Sequence, residues 1–277
     1  MPPAWTRSLL LIPALAGILG AQPPVVKPGR LESIPITGQI ADDPELAAYI
    51  APYAAKIKAS FGQPLVKAPQ GLFRGRPGEE NLLGYWVADV MRDSAQNAIG
   101  MPVRFAITNS GGLRANLRPG QLKVEDIYEL MPFENELVVI ELTGAQVIQV
   151  VREGLLHRGG EPCSGVLVKV QGTPAKATLR VTWADGRPID PKEVVKVATT
   201  DYLYGGGDFI PTLKQGRNLI TTGLTLRQVL LDRCTALAKA GRDLLPPAPG
   251  RYQIPPDLQE ALREKKLILQ EPVHGTP

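Results

Sequence analysis

Three short polar loops contain the residue types from which a ligand site could be built. The first loop reads Asn109-Ser110-Gly111-Gly112-Leu113-Arg114. An amide such as Asn109 can donate and accept hydrogen bonds at a sugar or base edge, and the planar guanidinium of Arg114 suits a phosphate or a carboxylate. The two glycines allow positive φ and a close approach of another group, and their amides could form an anion-accepting concavity. A tight turn that ends in a surface arginine is the alternative explanation.

The other two loops place aromatic rings beside polar side chains. The second loop reads Pro132-Phe133-Glu134-Asn135, and the third runs from Tyr202 to Gly205-Gly206-Gly207-Asp208. Phe133 and Tyr202 could sandwich a flat base, at about 1–3 kcal/mol for each stacked ring. Asn135 and Asp208 could then bind base and ribose edges. Taken singly, the two aromatic residues are equally typical of a core, and an aspartate after glycines is typical of a turn.

The elements that would position these loops alternate unevenly between strand and helix. Apolar runs predict strands at residues 65–73 (with a turn), 103–107, 137–142, 166–170, 177–183 and 194–199. Helical spacing and caps predict helices at residues 42–61, 82–97, 122–130, 144–156 and 226–239, with Asn81 and Thr143 as caps. The pattern favours an α+β fold, a single domain with a mixed β-sheet and flanking helices, over regular βαβ winding.

The first predicted helix has an apolar stripe of its own. Asp42 and Asp43 precede Pro44, a combination typical of a helix start. Large apolar residues then recur at helical spacing as far as Phe61, and Gly62 ends the run. The stripe is expected to pack in the core or against another domain.

Composition sets broad limits on the function. The chain has 277 residues, of which 44% are hydrophobic and 21% charged, as in an ordinary globular protein with one large domain or two small ones. The net charge is only +4, and no dense Lys/Arg run is present in the sequence. Nucleic-acid polymers are therefore not expected as partners.

The N-terminal residues resemble a secretory signal. Arg7 precedes an apolar run over residues 9–21 that ends in small residues and is too short to span a bilayer comfortably. We expect a signal peptide at residues 1–21, a linker at 22–40, a domain at 41–250 and a Pro-rich tail at 251–277. The mature protein would then be periplasmic or extracellular, without a stable membrane anchor. A buried N-terminal helix is the alternative.

The two cysteines leave one question open. Cys163 and Cys234 could form a disulfide in an oxidising compartment, but the sequence does not show whether they approach each other. With only two cysteines and two histidines in the chain, a His/Cys metal site is not expected.

Taken together, the motifs resemble the C-terminal domain of the secreted 5′-nucleotidase family, which includes bacterial UDP-sugar hydrolases and the animal ecto-enzyme. The resemblance covers residues 38–245. The motifs that carry it are Asn81-Leu82-Leu83-Gly84, the Asn109–Arg114 loop, Pro132-Phe133-Glu134-Asn135, Ser164-Gly165 and Gly205-Gly206-Gly207-Asp208. In that family this domain binds the nucleotide, and a separate N-terminal metallophosphatase domain holds two metal ions and performs hydrolysis.

The resemblance implies a role for individual residues of this chain. Phe133 and Tyr202 match the two base-stacking aromatics, although the second is usually Phe. Asp208 matches the carboxylate that binds ribose, and Asn135 an amide that reads the base. The remaining predicted site residues are substrate-contacting positions of the glycine loop (Asn109, Gly111, Gly112 and Arg114) and an arginine that reaches phosphate or ribose (Arg76, with Arg74 as a weaker candidate).

One departure from the family decides the predicted function. The sequence before Gly38 is interpreted only as a signal and a linker, so no catalytic residue, metal ligand or cofactor is assigned to this chain. Without bridging metals, most of the barrier to phosphoester hydrolysis would remain. The chain is therefore interpreted as the nucleotide-recognition domain of a split 5′-nucleotidase, whose divalent metals belong to a secreted metallophosphatase chain.

Other functions remain as alternatives. The chain could be a non-catalytic nucleotide- or nucleoside-binding module, or a structural cell-wall protein. A metal-independent hydrolase with Asp208 or His157 as base is disfavoured because no activated nucleophile is evident nearby. A partner chain could dock on the helix that carries Tyr49, Tyr53 and Phe61.

Overall fold

A computed structural model describes residues 35–270, so the predicted signal peptide and most of the predicted linker lie outside the described residues. The described residues divide into two compact units, 35–49 and 50–270. In the first unit, helix α1 (Pro44–Phe61) begins where the Asp43 carboxylate accepts hydrogen bonds from the amides of Glu45 and Leu46, at 2.9 and 3.1 Å. The predicted start of this helix is confirmed, and α1 continues into the second unit.

The described residues contain ten strands and seven α-helices. The strands are β1 (Pro64–Ala68), β2 (Phe105–Ile107), β3 (Gly120–Lys123), β4 (Glu136–Thr143), β5 (Cys163–Ser164), β6 (Val166–Thr173), β7 (Lys176–Trp183), β8 (Val194–Thr200), β9 (Arg217–Thr225) and β10 (Tyr252–Gln253). The helices after α1 are α2 (Leu82–Ile99), α3 (Val124–Leu130), α4 (Gly144–Arg158), α5 (Asp201–Tyr204), α6 (Leu226–Lys239) and α7 (Pro256–Arg263). The predicted α+β class is confirmed.

A five-stranded mixed sheet forms the centre of the second unit, in the order β5-β2-β8-β4-β9. Strands β2 and β8 are parallel, and the other neighbouring pairs are antiparallel. Strands β6, β7 and β10 form a second sheet, and β1 pairs with β3. Residues 122–130, predicted as one helix, are instead the end of β3 followed by α3, because the Asp126 carboxylate accepts the amide of Lys123 and starts the helix there.

Two hydrophobic cores lie on opposite faces of the five-stranded sheet. Successive side chains of a strand point to opposite faces: Ile140 and Val197 belong to one core, and Val139 and Ala198 to the other. The first core is completed by α4, α7 and the β6-β7-β10 sheet, and the second by α2, α3 and α6. A site at an end of this sheet is therefore supported from both faces.

The two cysteines lie in different cores. Cys163 packs in the first core and Cys234 in the second, and both are buried free thiols. Burial raises the pKa of the Cys163 thiol to about 11 and that of Cys234 to about 12. The disulfide that the sequence left open is therefore not formed.

The segment after residue 250 differs from the tail expected there. Tyr252 in β10 pairs in parallel with Val168 of β6, and Leu258 of α7 is fully buried in the first core. The guanidinium of Arg251 forms an ion pair with Asp89 of α2. The apolar residues of this segment pack on the β6-β7 sheet. Their spacing is difficult to recognise in the sequence because prolines surround them.

The apolar stripe of α1 is not part of either core. Within the second unit, Ile50, Tyr53 and Ile57 are more than half exposed, while the ring of Phe61 stacks on that of Tyr128 at 4.4 Å. Of the two predicted placements, packing in the core is wrong, because helical spacing shows which side chains share a face but not what covers it; packing against another domain stays a prediction. Between residues 35 and 270, no helix is long and apolar enough to cross a lipid bilayer.

Candidate functional site

Three loops meet at one end of the five-stranded sheet. The adjacent parallel strands β2 and β8 end at Ile107 and Thr200, and the antiparallel strand β4 begins there, with Leu137 opposite Thr200. The carboxylate of Asp201 accepts the amide of Glu136 at 3.0 Å and so ties the third loop to the second. The sheet order therefore explains how residues about a hundred positions apart come together.

A cavity of about 260 Å³ opens where these loops meet. Eight of the nine predicted site residues line it, together with Arg158: Asn109, Gly111, Gly112, Arg114, Phe133, Asn135, Tyr202 and Asp208. The ninth, Arg76, lines a second cavity of about 480 Å³ that shares Gly111, Arg114 and Arg158 with the first. We call the first the aromatic cavity and the second the arginine cavity.

Both predicted aromatic rings are accessible from the aromatic cavity. Phe133 is 36% exposed and Tyr202 is 46% exposed, more than most core side chains. The Tyr202 ring lies against Gly207, where a Cβ atom would come within 2.4 Å of it. The guanidinium of Arg114 sits 5.2 Å from the centre of the Phe133 ring, within cation–π range. The two rings can therefore contact a ligand without moving out of a core.

Asp208 is held in a defined position at the wall of this cavity. Its backbone has the left-handed φ of 48°, which aspartate tolerates better than most residues. The amide of Asn109 donates to one carboxylate oxygen, and Arg158 donates to the other at 3.1 Å. A carboxylate has about four acceptor positions, so Asp208 can still accept hydroxyl groups from a ligand.

The glycine pair is needed for space rather than for unusual backbone angles. Neither Gly111 nor Gly112 has a positive φ, and with Ser110 they form one turn of 3-10 helix. A Cβ atom on Gly112 would lie 2.9 Å from the Asn109 side chain, and one on Gly111 would touch the guanidinium of Arg158. The expected positive φ is therefore wrong, and the expected close approach is confirmed.

The anion-accepting concavity expected from this loop is limited by hydrogen bonds within the protein. The amide of Ser110 donates to the carboxylate of Glu161 at 2.6 Å, and that of Gly112 donates to the carbonyl of Asn109 at 3.1 Å. The amide of Leu113 donates to the carbonyl of Ser110. Since these three amides are already paired within the protein, side chains must supply most of the positive charge for an anion.

Arginines supply that charge in the arginine cavity. Arg74, Arg76, Arg114 and Arg158 line it, and Glu79 is the one carboxylate among its lining residues. Arg74 also donates to the carbonyl of Leu113 at 2.5 Å, so it holds the glycine loop as well as contributing charge. The arrangement suits a phosphate or another small anion.

Two further matched motifs support the site without lining the aromatic cavity. Asn81 caps α2 by accepting the amide of Gly84 at 2.8 Å, as predicted. A side chain at Gly84 would collide with Pro162, whose carbonyl accepts the amide of Thr108 just before the glycine loop. Ser164 donates to Asp89 at 2.6 Å.

Sequence reasoning missed Arg158 and Glu161. Arg158 lies in the last turn of α4, and Glu161 follows two residues beyond the Gly159 cap. The carboxylate of Glu161 is 1% exposed. This desolvation raises its pKa to about 7; the Ser110 amide and Arg158 act in the opposite direction, and Asp208 adds to the increase. A charged pair after a helix end is a common surface pattern, so the sequence offered no signal for this pair.

The raised pKa of Glu161 predicts a specific pH dependence of stability. An acid with a folded-state pKa of about 7 favours the folded state at low pH, and this stability is lost as the pH rises from about 4.5 to about 7. We expect Glu161 to account for a decrease of about 3 kcal/mol in the free energy of unfolding over that range. Denaturant unfolding of wild type and Glu161→Gln at several pH values checks this. A wild-type curve that runs parallel to the variant curve would contradict it.

Among residues 35–270, no three His, Cys, Asp or Glu side chains are grouped closely enough to hold a metal ion. The arginines and the N–H groups of the amides around the cleft are hydrogen-bond donors. Metal cations are coordinated by acceptor atoms, so these donors do not bind them. The described residues of the site therefore suit an anionic or polar organic ligand.

The α+β fold carries, at one end of its central sheet, a cleft lined by aromatic rings, a carboxylate and arginines. The model of the family "5′-nucleotidase, C-terminal domain" matches residues 64–215. The chain belongs to this family.

Three relatives illustrate the similarity. The trifunctional nucleotide phosphoesterase protein YfkN of Bacillus subtilis is 29% identical over 190 residues, which are 63% of this chain and 12% of YfkN. Cell wall protein Lmo0130 of Listeria monocytogenes is 32% identical over 155 residues, 52% of this chain and 20% of that protein. The 5′-nucleotidase precursor of Thermus thermophilus shares the fold, with a TM-score of 0.62 at 23% identity over 77% of this chain and 44% of that structure. This chain thus spans less than half the length of each relative.

Proposed function

We propose that this chain is the nucleotide-recognition domain of a split 5′-nucleotidase-type phosphohydrolase that acts in nucleotide catabolism. Phe133 and Tyr202 would stack on the base, Asp208 would bind the ribose, and Arg76 and Arg114 would hold the phosphate. The observation that carries the proposal is the connection of the aromatic cavity to the arginine cavity through Arg114. The two cavities match the two parts of a nucleotide. The base is flat and apolar on its faces, as suits the aromatic cavity, and the phosphate is anionic, as suits the arginine cavity.

Asn109 and Asn135 have different parts in this proposal. The amide of Asn109 already donates to Asp208, so its first role is to orient the carboxylate. Asn135 is fixed by its backbone carbonyl, which accepts the amide of Leu226 at 2.9 Å, and it lines the aromatic cavity, where its side chain would read the base. Because Gly111 and Gly112 carry no side chain, the ligand could approach the backbone of this loop closely.

Hydrolysis is assigned to a second polypeptide, a secreted metallophosphatase that supplies two divalent metal ions. The relatives that this chain matches are much longer than the matched region, which is 12% of YfkN and 20% of Lmo0130. The described residues offer no metal cluster of their own. A periplasmic or extracellular location is part of the proposal, supported by the apolar N-terminal run and by the similarity to a cell wall protein.

Reconstitution tests the division of labour. With Mn²⁺ or Zn²⁺ present, we expect the isolated chain to bind AMP without releasing phosphate, and a mixture with the partner metallophosphatase to release it. The Asp208→Asn variant should lower phosphate release in the mixture by about tenfold or more, because a hydrogen bond to a charged group contributes about 1.5–3 kcal/mol. Full activity of the isolated chain would overturn the split. AMP binding without any activating partner would favour a non-catalytic binding module.

A further inference from the structure

Glu161 lies behind the glycine loop, sealed from solvent by three elements. Its side chain packs on Gly154 of α4, where a Cβ atom would come within 3.1 Å of it. The hydroxyl of Tyr252, from β10, donates to its backbone carbonyl at 2.9 Å. The Ser110 amide covers one carboxylate oxygen. A buried carboxyl in such a place is costly to ionise, and a structural role alone would be served by a neutral side chain.

The second carboxylate oxygen of Glu161 has no hydrogen-bond partner, although it is buried. It faces the guanidinium of Arg158, whose Nε lies 3.9 Å away. The charged and titratable side chains near Glu161 are Arg158 from α4, Asp208 from the turn after α5, and Tyr252 and Cys163 from β10 and β5. Arg158 is the one cation among them, and it is shared between two carboxylates.

Arg158 connects this buried carboxyl to the cleft. Its guanidinium lies over Gly111, donates to Asp208 and lines both the aromatic and the arginine cavities. An anion in the arginine cavity would compete with Glu161 for the positive charge of Arg158. It would also be repelled by an ionised Glu161, because water screens a buried carboxylate poorly. Protonation of Glu161 removes both effects.

We propose that Glu161 is a positioning residue that couples occupancy of the cleft to one proton, so that an anionic ligand is bound with proton uptake at Glu161. The inference rests on the proposed function, since it takes the cleft to be an anion site. By reciprocity, the ligand favours the protonated carboxyl as much as the proton favours the ligand. The free carboxyl, with its pKa raised to about 7 by burial, is poised to respond near neutral pH.

Adenosine 5′-sulfate is the probe for this coupling, because its sulfate keeps a single negative charge over the range tested. We expect the wild-type chain to bind it about fivefold more tightly at about pH 5.5 than at about pH 8.5, the lower end of usual coupling strengths. In the Glu161→Gln variant, which retains an acceptor for the Ser110 amide, the two affinities should agree within about twofold.

Two matched variants separate Glu161 from its neighbours. Glu153→Gln changes a carboxyl within α4, which accepts hydrogen bonds from Thr212 and lines neither cavity. His157→Gln removes the histidine that contacts Phe209. This variant is included because histidine is the side-chain type that most often changes charge in this pH range. Both variants should keep the wild-type pH dependence. Loss of that dependence in His157→Gln would assign the effect to His157 and overturn the proposal.

Calorimetry on the wild-type chain provides a test that does not depend on any variant folding. Titrations at about pH 7 in two buffers of different ionisation enthalpy should show uptake of about 0.3 proton for each adenosine 5′-sulfate bound, the value that fivefold coupling gives. Binding without proton uptake would overturn the role of Glu161 and leave the proposed function standing. Failure of wild type to bind the probe at any pH would overturn both.

Discussion

Replacing Phe133 and Tyr202 together with alanine is expected to weaken the binding of AMP and adenosine by at least about thirtyfold. Each ring that stacks on a base contributes about 1–3 kcal/mol, and the double variant removes both faces of the proposed clamp. Because Phe133 and Tyr202 are 36% and 46% exposed, their removal should cost the fold little. Isothermal titration calorimetry with both ligands measures the effect.

The control for this prediction is an exposed aromatic side chain elsewhere. Tyr53 of α1 is 58% exposed and lines neither cavity, so Tyr53→Ala should bind both ligands as wild type does. Each single cleft variant should show part of the loss. A double variant that binds AMP within about threefold of wild type would mean that the rings are not the base site, whatever the family resemblance suggests.

Replacing Arg114 with glutamine is expected to separate nucleotides from nucleosides. Arg114 borders both cavities, so its loss should weaken AMP binding by about tenfold to a hundredfold, the range for a hydrogen bond between charged groups. Adenosine should lose only about threefold, through the weaker support of the Phe133 ring at 5.2 Å. Calorimetry with the two ligands on the same preparation gives the comparison.

Arg104 provides a matched control for Arg114. It also lies over an aromatic ring, 4.8 Å from that of Trp183, and pairs with Asp185 at 3.2 Å, but it lines neither cavity. Arg104→Gln should leave both affinities unchanged. If Arg114→Gln weakens AMP and adenosine equally, Arg114 supports the ring rather than binding phosphate. If it weakens neither, the phosphate is held elsewhere.

The sequence was sufficient for the features that depend on local chemistry. Asn81 and Thr143 cap α2 and α4 as predicted. Each side chain accepts the backbone amide of the residue three positions later, and this spacing can be recognised in the sequence. Three of the five central strands, β2, β4 and β8, were also located by their apolar runs, whereas β5 and β9 were not predicted. The three loops were grouped by residue type and by resemblance, and the order β2-β8-β4 supplies the physical reason for their meeting.

Features that depend on tertiary packing could not be predicted from the sequence. The glycine loop has no positive φ. Its glycines are needed because the Asn109 and Arg158 side chains occupy the space that a Cβ atom would take, and no local sequence pattern encodes that packing. The segment after residue 250 packs on the β6-β7 sheet, and Ile50, Tyr53 and Ile57 of α1 are exposed and belong to neither core. Glu161 became visible only through its burial and its contact with Ser110.

The most direct measurement is a crystal structure of the chain grown with AMP. The account predicts the adenine ring between Phe133 and Tyr202, the ribose hydroxyls on Asp208, and the phosphate in the arginine cavity beside Arg114. Adenine bound outside the aromatic cavity, or a ring in contact with neither aromatic side chain, would contradict it.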